Sequence, residues 1–122
     1  MSRAVCIVDD DASVRKSLAN LLRSAGFETL SFAAGDLFLA SALARQAGGV
    51  LLDLRMPGMS GLVVQRELAR LGWRLPVICM SAHWDEGAVR AAMALGALVC
   101  LGKPFSEEVL LKVVEDALVG SQ

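Results

Sequence analysis

A chain of 122 residues is near the usual size of one domain and can bury a single substantial core. Its 55% hydrophobic and 20% charged composition excludes a disordered tail or a fibrous repeat, and a net charge of -1 spread along the chain excludes an unaided electrostatic grip on nucleic acid. The longest uncharged stretch, residues 91–102, is too short to cross a bilayer, and the N-terminus turns acidic where a secretion signal needs an apolar run, so a cytoplasmic protein without membrane contact is expected.

The first apolar, β-branched run, AVCIVD at 4–9, predicts a strand and ends in three consecutive carboxylates, Asp9, Asp10 and Asp11. SVRKSLANLLRSAG then takes helical spacing, with Val14, Leu18, Leu21, Leu22 and Ala25 on one face and Gly26 as a left-handed stop. Strands follow at ETLSFA (28–33), GVLLD (49–53), PVICMS (76–81) and ALVCL (97–101). Helices fit 36–45, 62–71, 85–95 and the closing SEEVLLKVVEDALVG, where Ser106 can cap and Glu107 and Glu108 suit the positive end of the dipole. Regular alternation of strand and helix predicts one α/β domain over 1–122, a doubly wound parallel sheet with helices on both faces.

In such sheets the functional crevice lies beyond the carboxyl ends of the strands. Asp9 and Asp10 end the first strand, Asp53 the third and Ser81 the fourth, while Lys103 follows the fifth. Three carboxylates, a hydroxyl and an ammonium, up to 94 positions apart, are thereby expected at one edge. Clustered carboxylates raise one another's pKa unless a hard cation lies among them, and Mg²⁺, which takes oxygen ligands and is commonly held by one or two carboxylates with phosphate oxygens, suits the set. Asp10 and Asp53 are the expected direct ligands, with Asp9 acting through a water and Asp11 facing solvent. Asp53 is the candidate nucleophile toward phosphorus; Lys103 and Ser81 are suited to neutralise and hydrogen-bond phosphoryl oxygens. Taken singly, each residue has a plainer reading, as a helix cap, a turn former or a solvated charge.

VDDD at 8–11, LLDLRMPGMSG at 51–61, MSA at 80–82 and GKPF at 102–105 together resemble the receiver domain of bacterial two-component response regulators, most closely those of the FixJ type. The resemblance covers essentially the whole chain. It implies a flavodoxin-like (βα)5 sheet of strand order 2-1-3-4-5, with Asp53 as phosphoacceptor and Ser81 and Lys103 contacting the phosphoryl group. Asp9, Asp10, Asp53 and the backbone carbonyl of Arg55 would serve Mg²⁺. It further implies a sensor histidine kinase as donor and a switch on the surface of the fourth helix, fifth strand and fifth helix. That switch would control homodimerisation or an output domain, through which alone DNA would be reached and transcription regulated.

Pro104 matches a position where that family often has a cis bond, and His83 one that tunes phosphoryl lifetime, although a solvent-facing loop histidine fits equally well. Cys100 stands where the family usually has an aromatic residue, as a small buried hydrophobe or a redox group. Cys6, Cys79 and Cys100 make an odd count without a Cys-x-x-Cys pair, the pattern of reduced thiols. Trp73 and Trp84 are packing residues or partner contacts. Two other functions compete. A haloacid-dehalogenase-like phosphatase would use Asp9 and Asp11 as nucleophile and acid, but lacks a later acidic pair; a flavin module would need glycines where the first loop has carboxylates.

Overall fold

The computed structural model describes residues 3–81 and 86–120. Strands β1 (Ala4–Val8), β2 (Glu28–Phe32), β3 (Gly49–Asp53), β4 (Val77–Ser81) and β5 (Val99–Gly102) alternate with helices α1 (Ala12–Ser24), α2 (Gly35–Leu39), α3 (Gly61–Arg70), α4 (Glu86–Ala94) and α5 (Glu107–Gly120). Every ladder is parallel and the order is β2-β1-β3-β4-β5, as the resemblance implied.

Side chains alternate across a strand, so each strand feeds two cores. Val5, Ile7, Leu51, Ile78 and Met80 are covered by Leu18 and Leu22 of α1 and by Leu110, Val114 and Leu118 of α5. Cys6, Val8, Val50, Leu52 and Cys79 face α2, α3 and α4, represented by Phe38, Val64, Leu68 and Ala92. Chain direction explains the segregation. The α1 connection runs from β1 out to the edge strand β2, whereas α2, α3 and α4 each carry the chain back across the sheet, and right-handed crossovers of opposite direction lie on opposite faces. Each buried Leu, Ile or Val contributes roughly 1.5–3 kcal/mol, and β3, buried at every position, is the central anchor.

Helix boundaries follow local chemistry. Gly26 leaves α1 at φ 93°, and Ser106 caps α5 by accepting from the Val109 N–H at 3.0 Å. The helix expected over 36–45 is instead α2 and a separate 3₁₀ turn at Ala44–Gln46. Ser41 accounts for the break, because its hydroxyl accepts from the Ala44 N–H at 3.1 Å and so competes with a continuing helix. The fifth strand starts at Val99, two residues later than expected, since the Ala97 N–H is still committed to the Ala92 carbonyl of α4 at 3.0 Å. Trp73 is a packing residue, stacked on Phe38 at 5.0 Å between centroids and covered by the Arg45 guanidinium. His83 and Trp84 lie outside the described residues. Among the described residues no helix is long and apolar enough to cross a membrane.

Candidate functional site

From the neighbouring central strands β1 and β3 the chain departs in opposite directions, which opens a crevice at their carboxyl ends. Asp9 enters it directly from β1, its N–H still bonded to the Phe32 carbonyl at 3.1 Å. Its side chain is almost wholly buried, so both oxygens need partners. Oδ1 accepts from the Asp11 N–H at 2.9 Å and Oδ2 from the Lys103 ammonium at 2.7 Å. Asp10 is exposed. Asp11 turns away to cap α1, accepting from the N–H groups of Ser13 and Val14, which places it at the solvent side as expected.

Asp53 ends β3 and is buried, with Oδ1 accepting from the Arg55 N–H at 3.2 Å and Oδ2 lying 3.8 Å from the Lys103 ammonium. One ammonium thus serves two carboxylates. Burial pushes the Asp53 carboxyl up to about 6, and the charges of Asp9 and Asp10 add to that, although Lys103 and the Arg55 N–H oppose the rise. One carboxylate oxygen from each of Asp9, Asp10 and Asp53 lies within 4.8 Å of the other two.

The remaining expected residues come from β4 and β5. Ser81 is buried at the end of β4, and its carbonyl accepts from the Lys103 N–H at 2.6 Å, fixing the β5–α5 loop to the sheet. The Lys103–Pro104 bond is cis. The structure therefore gathers Asp9, Asp10, Asp53 and Lys103 by direct contact or proximity, with Ser81 on the adjoining strand. Arg55 meets Asp53 through its N–H.

Two contributors were not anticipated. Arg15 donates to the Asp9 carbonyl at 2.8 Å and braces the turn that presents the acids. Its position one turn after the cap Asp11, on the same side of α1, was the available signal. Gly61 begins α3 so close to β3 that a Cβ there would sit 2.5 Å from the Asp53 carbonyl oxygen. Only glycine permits that approach, and the Gly61 N–H donates to the Leu54 carbonyl at 3.1 Å.

The arrangement corrects the phosphatase alternative. Asp9 has both oxygens engaged and no exposure for attack, while Asp11 is spent on a helix cap. Residues 5–115 match the family model for the response regulator receiver domain. This chain belongs to that family. The receiver is 42% identical over 110 residues to nodulation protein W of Bradyrhizobium diazoefficiens, covering 90% of this chain and 48% of that protein. It is also 42% identical over 114 residues to the response regulator protein TmoT of Ectopseudomonas mendocina, covering 93% and 52%. Among solved structures it is similar to the amino-terminal part of FixJ, with 37% identity, a TM-score of 0.90 and 98% and 95% of the two chains covered. The response regulator StyR gives 44% identity and a TM-score of 0.88 over 95% of this chain and 59% of that one. The receiver spans about half the length of the curated relatives it matches.

Proposed function

We propose that this receiver is the phosphorylation switch of a two-component system, with Asp53 accepting a phosphoryl group from the phosphohistidine of a sensor kinase. The observation that carries this is the single Lys103 ammonium shared between Asp9 and Asp53 beside the three-carboxylate cluster. Burial is the main reason that the Asp53 carboxyl is raised, and the neighbouring Asp9 and Asp10 charges add to it, so a cation placed among the three would favour the ionised form.

The donor set fits Mg²⁺. Oxygen atoms from three carboxylates converge, and exposed Asp10 leaves room for waters, so Asp9, Asp10 and Asp53 would hold the ion with the Arg55 carbonyl. When bound, it supplies positive charge that keeps Asp53 ionised and neutralises phosphoryl oxygens.

An Asp53 oxygen attacks phosphorus, the bond from phosphorus to the histidine nitrogen breaks, and that nitrogen leaves with the electron pair. Asp9 holds Lys103 within a short shift of the incoming phosphoryl group, so its charge is already in place. Ser81 donates its hydroxyl hydrogen to a second phosphoryl oxygen, which draws the end of β4 toward Asp53. The contacts of the phosphorylated state then bias the surface of α4, β5 and α5, the chain catalysing only its own phosphorylation and dephosphorylation.

The length of the relatives, of which two are the transcriptional regulatory proteins FixJ and TdiR, supports a regulator in which residues 1–122 are the receiver and an output domain contacts DNA; phosphorylation-linked homodimerisation is the relay we propose. A cytoplasmic location agrees with the three free thiols. Intact-mass analysis after incubation with acetyl phosphate tests the reading. One phosphoryl group should be added to the parent only with Mg²⁺, and none to Asp53→Asn; equal labelling of both would remove Asp53 from its role.

A further inference from the structure

The second core contains polar atoms for which phosphorylation has no use. Cys79 and Cys100 are register partners on adjacent parallel strands, so they share a face. The Cys79 S–H also approaches the Gln65 carbonyl oxygen, at 3.9 Å. Gln65 of α3 is buried, and its amide nitrogen donates to the Ala92 carbonyl of α4 at 3.0 Å. A line of polar contacts therefore runs from β4 through α3 to the last turns of α4, with Cys100 beside its start on β5. Ala92 is the one fully buried residue of that helix among those described, with Ala88 half-buried against the same core, so the Gln65 bond is a substantial part of its anchorage.

We propose that Cys79 and Cys100 form an oxidant-responsive dithiol, in which hydrogen peroxide closes a disulfide between β4 and β5 and frees α4 from the Gln65 tether. Adjacent strands lie about 4.8 Å apart, inside the Cα separation of roughly 4.4–6.8 Å that a disulfide spans. Cys100 is partly exposed and Cys79 is not, so Cys100 meets the oxidant first. Its sulfur attacks a peroxide oxygen, the O–O bond breaks, and the thiol becomes a sulfenic acid with release of water. Cys79 sulfur then attacks the sulfenic sulfur, the S–O bond breaks, and the hydroxyl leaves as a second water carrying the Cys79 proton. Two thiols are oxidised and one peroxide is reduced. Burial pushes both thiols up, which restricts the response to sustained oxidant rather than traces.

Oxidation also removes the S–H that Gln65 accepts. A buried amide oxygen without a donor is costly, and rotation of Gln65 to recover one would give up its bond to Ala92. Cys6 is an internal control. It is equally buried, but β3 separates its strand from β4.

The test exposes the full chain to hydrogen peroxide, unfolds it, alkylates the remaining thiols and maps the peptides, with hydrogen exchange on parallel samples. Free thiols should fall from three to one, the survivor being Cys6, with a reductant-reversible link between Cys79 and Cys100. Exchange in α4 should quicken by about tenfold while α1 is unchanged. Cys100→Ala should keep its two thiols and show no oxidant effect on α4. Gln65→Met leaves all the cysteines in place; its α4 should exchange quickly from the start and gain nothing from peroxide. Three free thiols after exposure sufficient to oxidise Met93, which is 44% exposed, would overturn the proposal. So would a link that includes Cys6, or a Cys79–Cys100 link that leaves α4 exchange unaltered.

Discussion

The helices that flank this sheet are held with different strength. On one face, α1 buries Leu18, Ala19 and Leu22, and α5 contributes Leu110, Val114, Ala117 and Leu118. On the other, α2 and α3 contribute Phe38, Val64 and Leu68, whereas α4 fully buries a single alanine among the described residues and takes one amide bond from Gln65. By strand alternation the carboxylates of Asp9 and Asp53 belong to the firm face, and Ser81, two residues beyond Cys79, to the yielding one. Asp53, the proposed acceptor, thus sits on the face covered by α1 and α5, while the Ser81 hydroxyl sits on the face that carries α4. Within the surface of α4, β5 and α5, α4 is the helix with the least buried anchorage among the described residues, so it is the part that phosphoryl contacts would displace at least cost.

The sharpest way to break this contrast is to weaken the firm face. Leu110→Ala should cost roughly 2–5 kcal/mol in denaturant unfolding, since Leu110 is fully buried and its cavity cannot collapse against the sheet. A loss below about 1 kcal/mol would show that α5 is no firmer than α4. Lys103→Met comes next. It strands the Asp9 carboxylate, 1% exposed, without its counterion and should cost about 2–3 kcal/mol at pH 7, less than a fully buried pair because Lys103 itself is 20% exposed.

Asp53→Asn should act in the opposite sense. The folded carboxyl titrates near 6 against 3.8 for the free group, so folding favours its protonated form; that contribution is complete below about pH 4 and is lost as pH rises through 6. In metal-free buffer the asparagine variant should therefore equal the parent near pH 4 and exceed it by about 2–3 kcal/mol above pH 7. Thermal melts of the pair across that range measure the difference, and added Mg²⁺ should stabilise only the parent appreciably. The smallest effect belongs to the yielding face. Ala92→Gly should cost about 1–2 kcal/mol, chiefly helix propensity, with faster exchange confined to α4.

The strands and the acidic edge were legible because both are written locally: apolar runs give the strands, and polar residues at or just after the ends of the first, third, fourth and fifth mark the crevice. The solvent-side place of Asp11 near the next helix could also be read, since the last carboxylate before a helix is in position to cap it. The break after α2 was not legible, because apolar spacing continues through it and only the Ser41 hydroxyl diverts the backbone. Gly61 and Gln65 were hidden for another reason. A glycine at a helix start and a glutamine among helical residues look ordinary until β3 and α4 are packed against them. Residues whose meaning depends on a distant element cannot be read along the chain, and here those residues set how tightly each face is held.

The contact between Asp9 and Lys103 joins positions 94 residues apart, near opposite ends of the chain. While the protein is being synthesised, the first-strand acids leave the ribosome early and wait without their lysine until the fifth strand has followed. The pocket around Asp53 is therefore complete only once β5 has joined the sheet, which ties the proposed phosphorylation to a finished receiver fold.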